Sequence, residues 1–179
     1  MGNETHIQPV TKDNHIECAA DWRDDYGRIV SLRQAAEQGD ADAQFRLAEL
    51  YYKRYEECCG AEEYLEEAVK WYQEAAGRGD ARAQFEIGWL YQCGEGVEED
   101  HEKAVEWYRL SANQGYAGAQ YWLGWCYRYG VGVERDMEEA VKWYRLAAEQ
   151  GNEEAREDLM ELNPGITEEG RSLLTMDTL

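Results

Sequence analysis

The chain has 179 residues, and its 38 acidic against 18 basic side chains leave a formal net charge of -20. That charge repels phosphate backbones and anionic membrane surfaces and attracts basic proteins, which excludes direct nucleic-acid binding. No apolar run reaches the length of a membrane span, and the opening residues lack the basic start and apolar stretch of a secretory signal, which predicts a cytoplasmic protein without membrane insertion.

Residues 1–20 read as an irregular leader, residues 21–162 as one repetitive domain, and residues 163–179, starting at Asn163-Pro164-Gly165, as a terminal tail. The phrase LRQAAEQGD from Leu32 has the form of a helix end, with Ser31 where later copies carry Trp, and is expected to cap the array. Two phrases then alternate. The first is ADAQFRLAELYY from Ala41, ARAQFEIGWLYQ from Ala81 and AGAQYWLGWCYR from Ala117, with a degenerate EEAREDLMEL from Glu153. The second is AVKWYQEAAGRGD, AVEWYRLSANQGY and AVKWYRLAAEQGN, centred on Trp71, Trp107 and Trp143 at intervals of 36 residues. Self-similarity at this period predicts a stacked solenoid, in which each unit buries its apolar face against its neighbours. Seven Trp and thirteen Tyr supply the packing surface.

Within a unit, Ala83, Ile87 and Tyr91 recur every four residues and share one face of a first helix, with Gln84 and Gly88 beside them. The glycines of GEGVEED and GVGVERD end that helix, and Asp100 or Asp136 caps the next. In the second helix small residues flank each Trp, as in Ala68-Trp71-Ala75, so that another helix approaches closely. Gly79, Gly115 and Gly151 close it, and Asp80 or Asn152 caps the following unit. Ala41 to Trp71 spans 30 residues against 26 in the other units, so the first unit carries an insertion, expected in the loop near Arg54 to Gly60.

The stretch AQFEIGWLYQCGEGVEEDHEKAVEWYRLSANQGYAGAQ resembles the Sel-1-like repeat, a relative of the tetratricopeptide repeat with an Ala-Gln start, a Tyr-x-x-Gly-x-Gly-Val turn and an Ala-x-x-Trp-Tyr second helix. The resemblance extends from about Leu32 to Leu162. It implies an all-α fold, a right-handed superhelix of antiparallel helix pairs, serving as a platform for protein partners and not as an enzyme. A cysteine-rich branch of that family is associated with beta-lactam binding or hydrolysis. Its regularly placed cysteine pairs are missing here, which leaves that activity the weakest of the alternatives.

Large residues that vary between copies are candidates for binding, because stacking alone does not dictate them. By analogy with tetratricopeptide repeats, positions two, five, nine, twelve and thirteen of the first helix line the concave groove. This nominates Arg82, Phe85, Trp89 and Gln92 with Tyr121, Trp125, Arg128 and Tyr129, and Trp122 joins them as the large residue at position six. An aromatic shelf edged by two arginines suits a peptide or helix carrying an apolar anchor and a carboxylate. The competing role for these aromatics is packing between repeats. Acidic runs such as Glu98-Glu99-Asp100 support a second reading, an acidic inhibitor or immunity protein that neutralises a basic toxin or nuclease.

Cys18, Cys58, Cys59, Cys93 and Cys126 follow no recurring spacing, which predicts free thiols, with Cys93 and Cys126 buried or part-buried, and no zinc site. His6, His15 and His101 have no nucleophile placed beside them by the repeat. The turn glycines lack the Lys-Ser/Thr of a phosphate loop. No catalytic residue, metal or cofactor is expected.

Overall fold

A computed structural model describes residues 22–57 and 61–162, and the expected leader and tail, with Cys18, Cys58 and Cys59, lie outside them. The described residues form eight α-helices and no strand: α1 (Trp22–Glu37), α2 (Ala41–Glu57), α3 (Glu62–Gly77), α4 (Ala81–Cys93), α5 (His101–Asn113), α6 (Ala117–Tyr129), α7 (Met137–Glu149) and α8 (Glu153–Leu162). The pairs α2/α3, α4/α5 and α6/α7 are helical hairpins, the three units of the sequence. Contacts of α1 with α2, α3 with α4, α5 with α6 and α7 with α8 stack them in line. We call α2, α4, α6 and α8 the A helices and α3, α5 and α7 the B helices.

The Ala-Gln phrase that opens each A helix turns out to be a splice between units. Gln44, Gln84 and Gln120 are buried, and each side-chain amide donates to a carbonyl at the end of the preceding helix: Ala36 at 3.0 Å, Ala76 at 3.2 Å and Ala112 at 3.3 Å. Each of those carbonyls already accepts the backbone amide of Gly39, Gly79 or Gly115 in the closing turn, and the glutamine fills its second acceptor site from the next unit. Gln114 and Gln150 then donate to the oxygens of Gln84 and Gln120 at 2.8 and 2.7 Å.

Within a hairpin the deepest side chains are the tyrosines that follow the tryptophans. Tyr108 and Tyr144 have no exposed surface, and each ring lies across a glycine of the A helix, where a Cβ on Gly88 or Gly124 would come within 2.7 and 2.8 Å of ring carbons. Trp71 and Trp143 are buried at the edge of the core, and each indole N–H donates to a carboxylate one turn earlier, Glu67 or Glu139, at 3.1 Å. Trp107 is only half-buried. Lys103 stands one turn before it in place of the glutamate and bonds Asp100 instead.

The expected caps form: Asp80, Asp100, Asp136 and Asn152 each accept backbone amides of the helix that follows. The insertion is helical and not a loop. Helix α2 has 17 residues where α4 and α6 have 13, because Gly94 and Gly130, at φ 67° and 71°, end those helices in the left-handed conformation and Arg54 stands at the equivalent place in α2.

Candidate functional site

The A helices present a continuous face whose side chains come from positions two, five, six, nine, twelve and thirteen. Position five belongs to the hairpin seam: Phe45, Phe85 and Tyr121 pack on Tyr72, Tyr108 and Tyr144 of their own units, with centroids 5.9, 5.7 and 5.6 Å apart. Position nine of one A helix meets position six of the next. At the junction of the second and third units this pair is Trp89 and Trp122, edge to face at 5.1 Å. Trp125 continues the row at 5.5 Å from Trp122, and Tyr129 follows at 5.1 Å from Trp125. The three tryptophans are half-buried and Tyr129 is 53% exposed. Phe85 also touches Tyr116, at 5.3 Å, and Tyr108 stacks on Trp122 at 6.4 Å, so the row rests on the core of both hairpins.

The same two positions at the junction of the first and second units hold Glu49 and Glu86. Burial pushes the Glu86 carboxyl up to about 7, and the charge of Glu49 adds to the effect. Glu49 is also raised by burial, although Arg82 and Arg46 pull it the other way. The phenols of Tyr52, Tyr72, Tyr108 and Tyr116 are each raised first by their own burial, and the charge of Glu86 is among the further causes.

The two arginines nominated at the edge are committed internally. Arg82 bonds Asp80 at 2.6 Å and Asp42 at 2.8 Å, and its guanidinium lies 4.2 Å from the Phe45 ring centre. Burial would raise the Asp80 carboxyl, but Arg82 and the Ala83 amide hold it below the usual range. Arg128 bonds Asp158 and Glu161 of α8, both at 2.9 Å. Gln92 accepts from the Tyr108 hydroxyl at 3.0 Å. The expectation that these arginines await a carboxylate is therefore corrected: each is already neutralised by two carboxylates of the chain itself.

The nominated residues thus divide. Trp89, Trp122, Trp125 and Tyr129 form one surface, Phe85 and Tyr121 are its footing, and Arg82, Gln92 and Arg128 tie helices together. Glu49, Glu86 and Tyr116 belong to the same face and were not nominated. Position six read Arg46, Glu86 and Trp122 across the copies, yet nothing local said that position six would meet position nine of the preceding unit.

No nucleophile is activated among the described residues. Burial raises the Cys126 thiol to about 12, which opposes thiolate formation, and Cys93 proves exposed at the end of α4, where burial was also expected. Three or more His, Cys, Asp or Glu side chains do not converge as metal ligands among the described residues, and no helix there is long and apolar enough to cross a membrane.

The sequence pattern of the Sel1 repeat matches residues 41–80, 81–116 and 117–152, the three hairpins just described. The chain belongs to the Sel1 repeat family. A Sel1 repeat protein from Oxalobacter formigenes is 40% identical, with a TM-score of 0.66 over 75% of this chain and 98% of that one. A protective antigen present in uropathogenic Escherichia coli strains, c5321, displaying the same repeat fold, is 35% identical with a TM-score of 0.69, over 82% of this chain and 30% of its own length. Cysteine-rich protein B of Helicobacter pylori, at 20% identity and a TM-score of 0.54, shares the fold alone. No match was found among curated proteins. Sel1 repeat proteins generally mediate protein–protein interaction.

Proposed function

We propose that this Sel1 repeat protein is a non-catalytic interaction module that holds a peptide or helix of a partner protein on the aromatic face of its second and third units. The observation that supports this is the row Trp89, Trp122, Trp125 and Tyr129. Positions six and nine are filled by Arg46 and Glu49 in the first unit and by Asp158 and Glu161 in α8, so stacking does not require aromatics there. Half-exposed tryptophans and tyrosines contribute much to binding because they bury large area while losing little side-chain entropy.

The test is capture of partners from source-cell lysate by wild type and by Trp89→Ala/Trp125→Ala, with circular dichroism to establish that the variant is folded. A partner retained by wild type at high salt and lost by the folded variant is the expected result. A variant that is folded and keeps every partner would overturn the reading. The net charge of -20 supports a second reading, an acidic inhibitor of a basic protein, in which the variant keeps its partner and salt abolishes binding.

A further inference from the structure

We propose that the groove takes a lysine or arginine side chain of the partner segment between Glu49 and Glu86, with an apolar residue of the same segment seated on Trp89 and Trp122. This rests on the interaction reading above and specifies the chemistry of the occupant.

The argument begins with pairing. Asp42, Asp80, Asp158 and Glu161 on this face all meet a cation of the chain. Among the described residues the Glu86 side chain makes no hydrogen bond or ion pair, and the charged group that acts on it is another carboxylate, Glu49. Glu49 feels Arg82 and Arg46, yet Arg82 is held by Asp80 and Asp42, and Arg46 by Asp42 at 2.9 Å. A carboxylate half-buried among aromatic rings without a counter-ion is costly, and a cation entering beside it removes that cost.

The second step is repetition. Glu49/Glu86 and Trp89/Trp122 occupy the same positional pair at successive junctions, so the carboxylates and the apolar shelf lie side by side along the groove. Packed helices are roughly 8–10 Å apart, which three residues of an extended peptide span. The matching segment therefore places its cation about three residues from its apolar anchor. An acidic segment, by contrast, would meet the Glu49/Glu86 pair and the overall negative field, with Arg46, Arg82 and Arg128 already held by carboxylates of the chain.

Selection of a displayed library of random linear 12-residue peptides on the full chain tests this, with Glu49→Gln/Glu86→Gln and Trp89→Ala/Trp125→Ala selected in parallel and checked for folding by thermal melts. Wild type is expected to enrich peptides with Lys or Arg about three residues from Trp, Phe, Leu or Met. Glu49→Gln/Glu86→Gln, which keeps shape, should still enrich the apolar anchor but lose the cation, and should bind a wild-type-selected peptide at least tenfold more weakly. Apolar peptides without a cation preference, or a preference unchanged in the glutamine variant, would overturn the proposal while leaving groove binding intact. Peptides bound equally by the tryptophan variant, or no enrichment at all, would overturn the groove reading and this proposal with it.

Discussion

Tyr108 illustrates how a single side chain organises a unit. Its ring lies on Gly88, its hydroxyl bonds Gln92, and Phe85 and Trp122 pack on its faces. Gly88→Ala pushes a methyl group to within 2.7 Å of that ring and is expected to cost about 1–3 kcal/mol by overpacking, read as a lower urea midpoint with unchanged slope. Tyr108→Ala should cost about 3–5 kcal/mol, more than Trp107→Ala, whose indole is half-buried and makes no bond to a carboxylate one turn earlier. Glu86 has the opposite sign. Its carboxyl lies near 4.5 in the unfolded chain and about 7 in the folded one. Between those values the folded chain holds a proton that the unfolded chain has released, so stability falls as pH rises from about 4.5 through 7. Glu86→Gln removes this penalty. Denaturation at two pH values should show the variant more stable by about 1–2 kcal/mol at pH 8, discounted for solvent contact, and unchanged at pH 4.

Helix ends in this protein are set by short signals that act within one turn. Asp136 accepts the amides of Glu138 and Glu139 at 2.9 and 3.1 Å, so Asp136→Ala should destabilise by about 1 kcal/mol in chemical denaturation. The first unit shows the signal in its absence. With Arg54 where Gly94 and Gly130 stand, α2 runs on to Glu57, and Arg54 is buried there with a contact to Glu57 at 3.4 Å. An insertion that looked like loop in the sequence therefore became a helical turn, since nothing required the chain to leave the helix. Helix α8 depends on neighbours more than on its own residues. Ala155 is its buried side chain, with Leu159 and Leu162 packed against the cluster of Ala140, Tyr144, Ala147 and Ala155. Deleting residues 153–162 should expose that surface and leave Arg128 without Asp158 and Glu161, and light scattering should report association of the shortened chain.

At the scale of the molecule, the main contacts join sequential helices and side-chain bridges join successive A helices, so stability is a sum of hairpins and nearest-neighbour interfaces, and the A-helix face is assembled a few residues per helix. The repeat period, the helix pairs, their caps and the aromatic composition of positions six and nine were legible from the amino-acid order, because each depends on residues within one turn or recurs in every copy. The membership of the face built by the A helices was legible only in part. Trp89, Trp122 and Trp125 stood out as large and variable, whereas nothing local sets Glu49 and Glu86 apart from the chain's other carboxylates. Their pairing arises only when α4 is set beside α2, and burial with the charge of Glu49 then raises Glu86. Arg82 and Arg128 changed meaning for the same reason, since their neutralising carboxylates come mainly from other A helices. Local order determined the repeating unit; stacking decided which charges on the A-helix face are paired within the array and which, among the described residues, meet no cation, because electrostatic pairing depends on distance in space and not on separation along the chain.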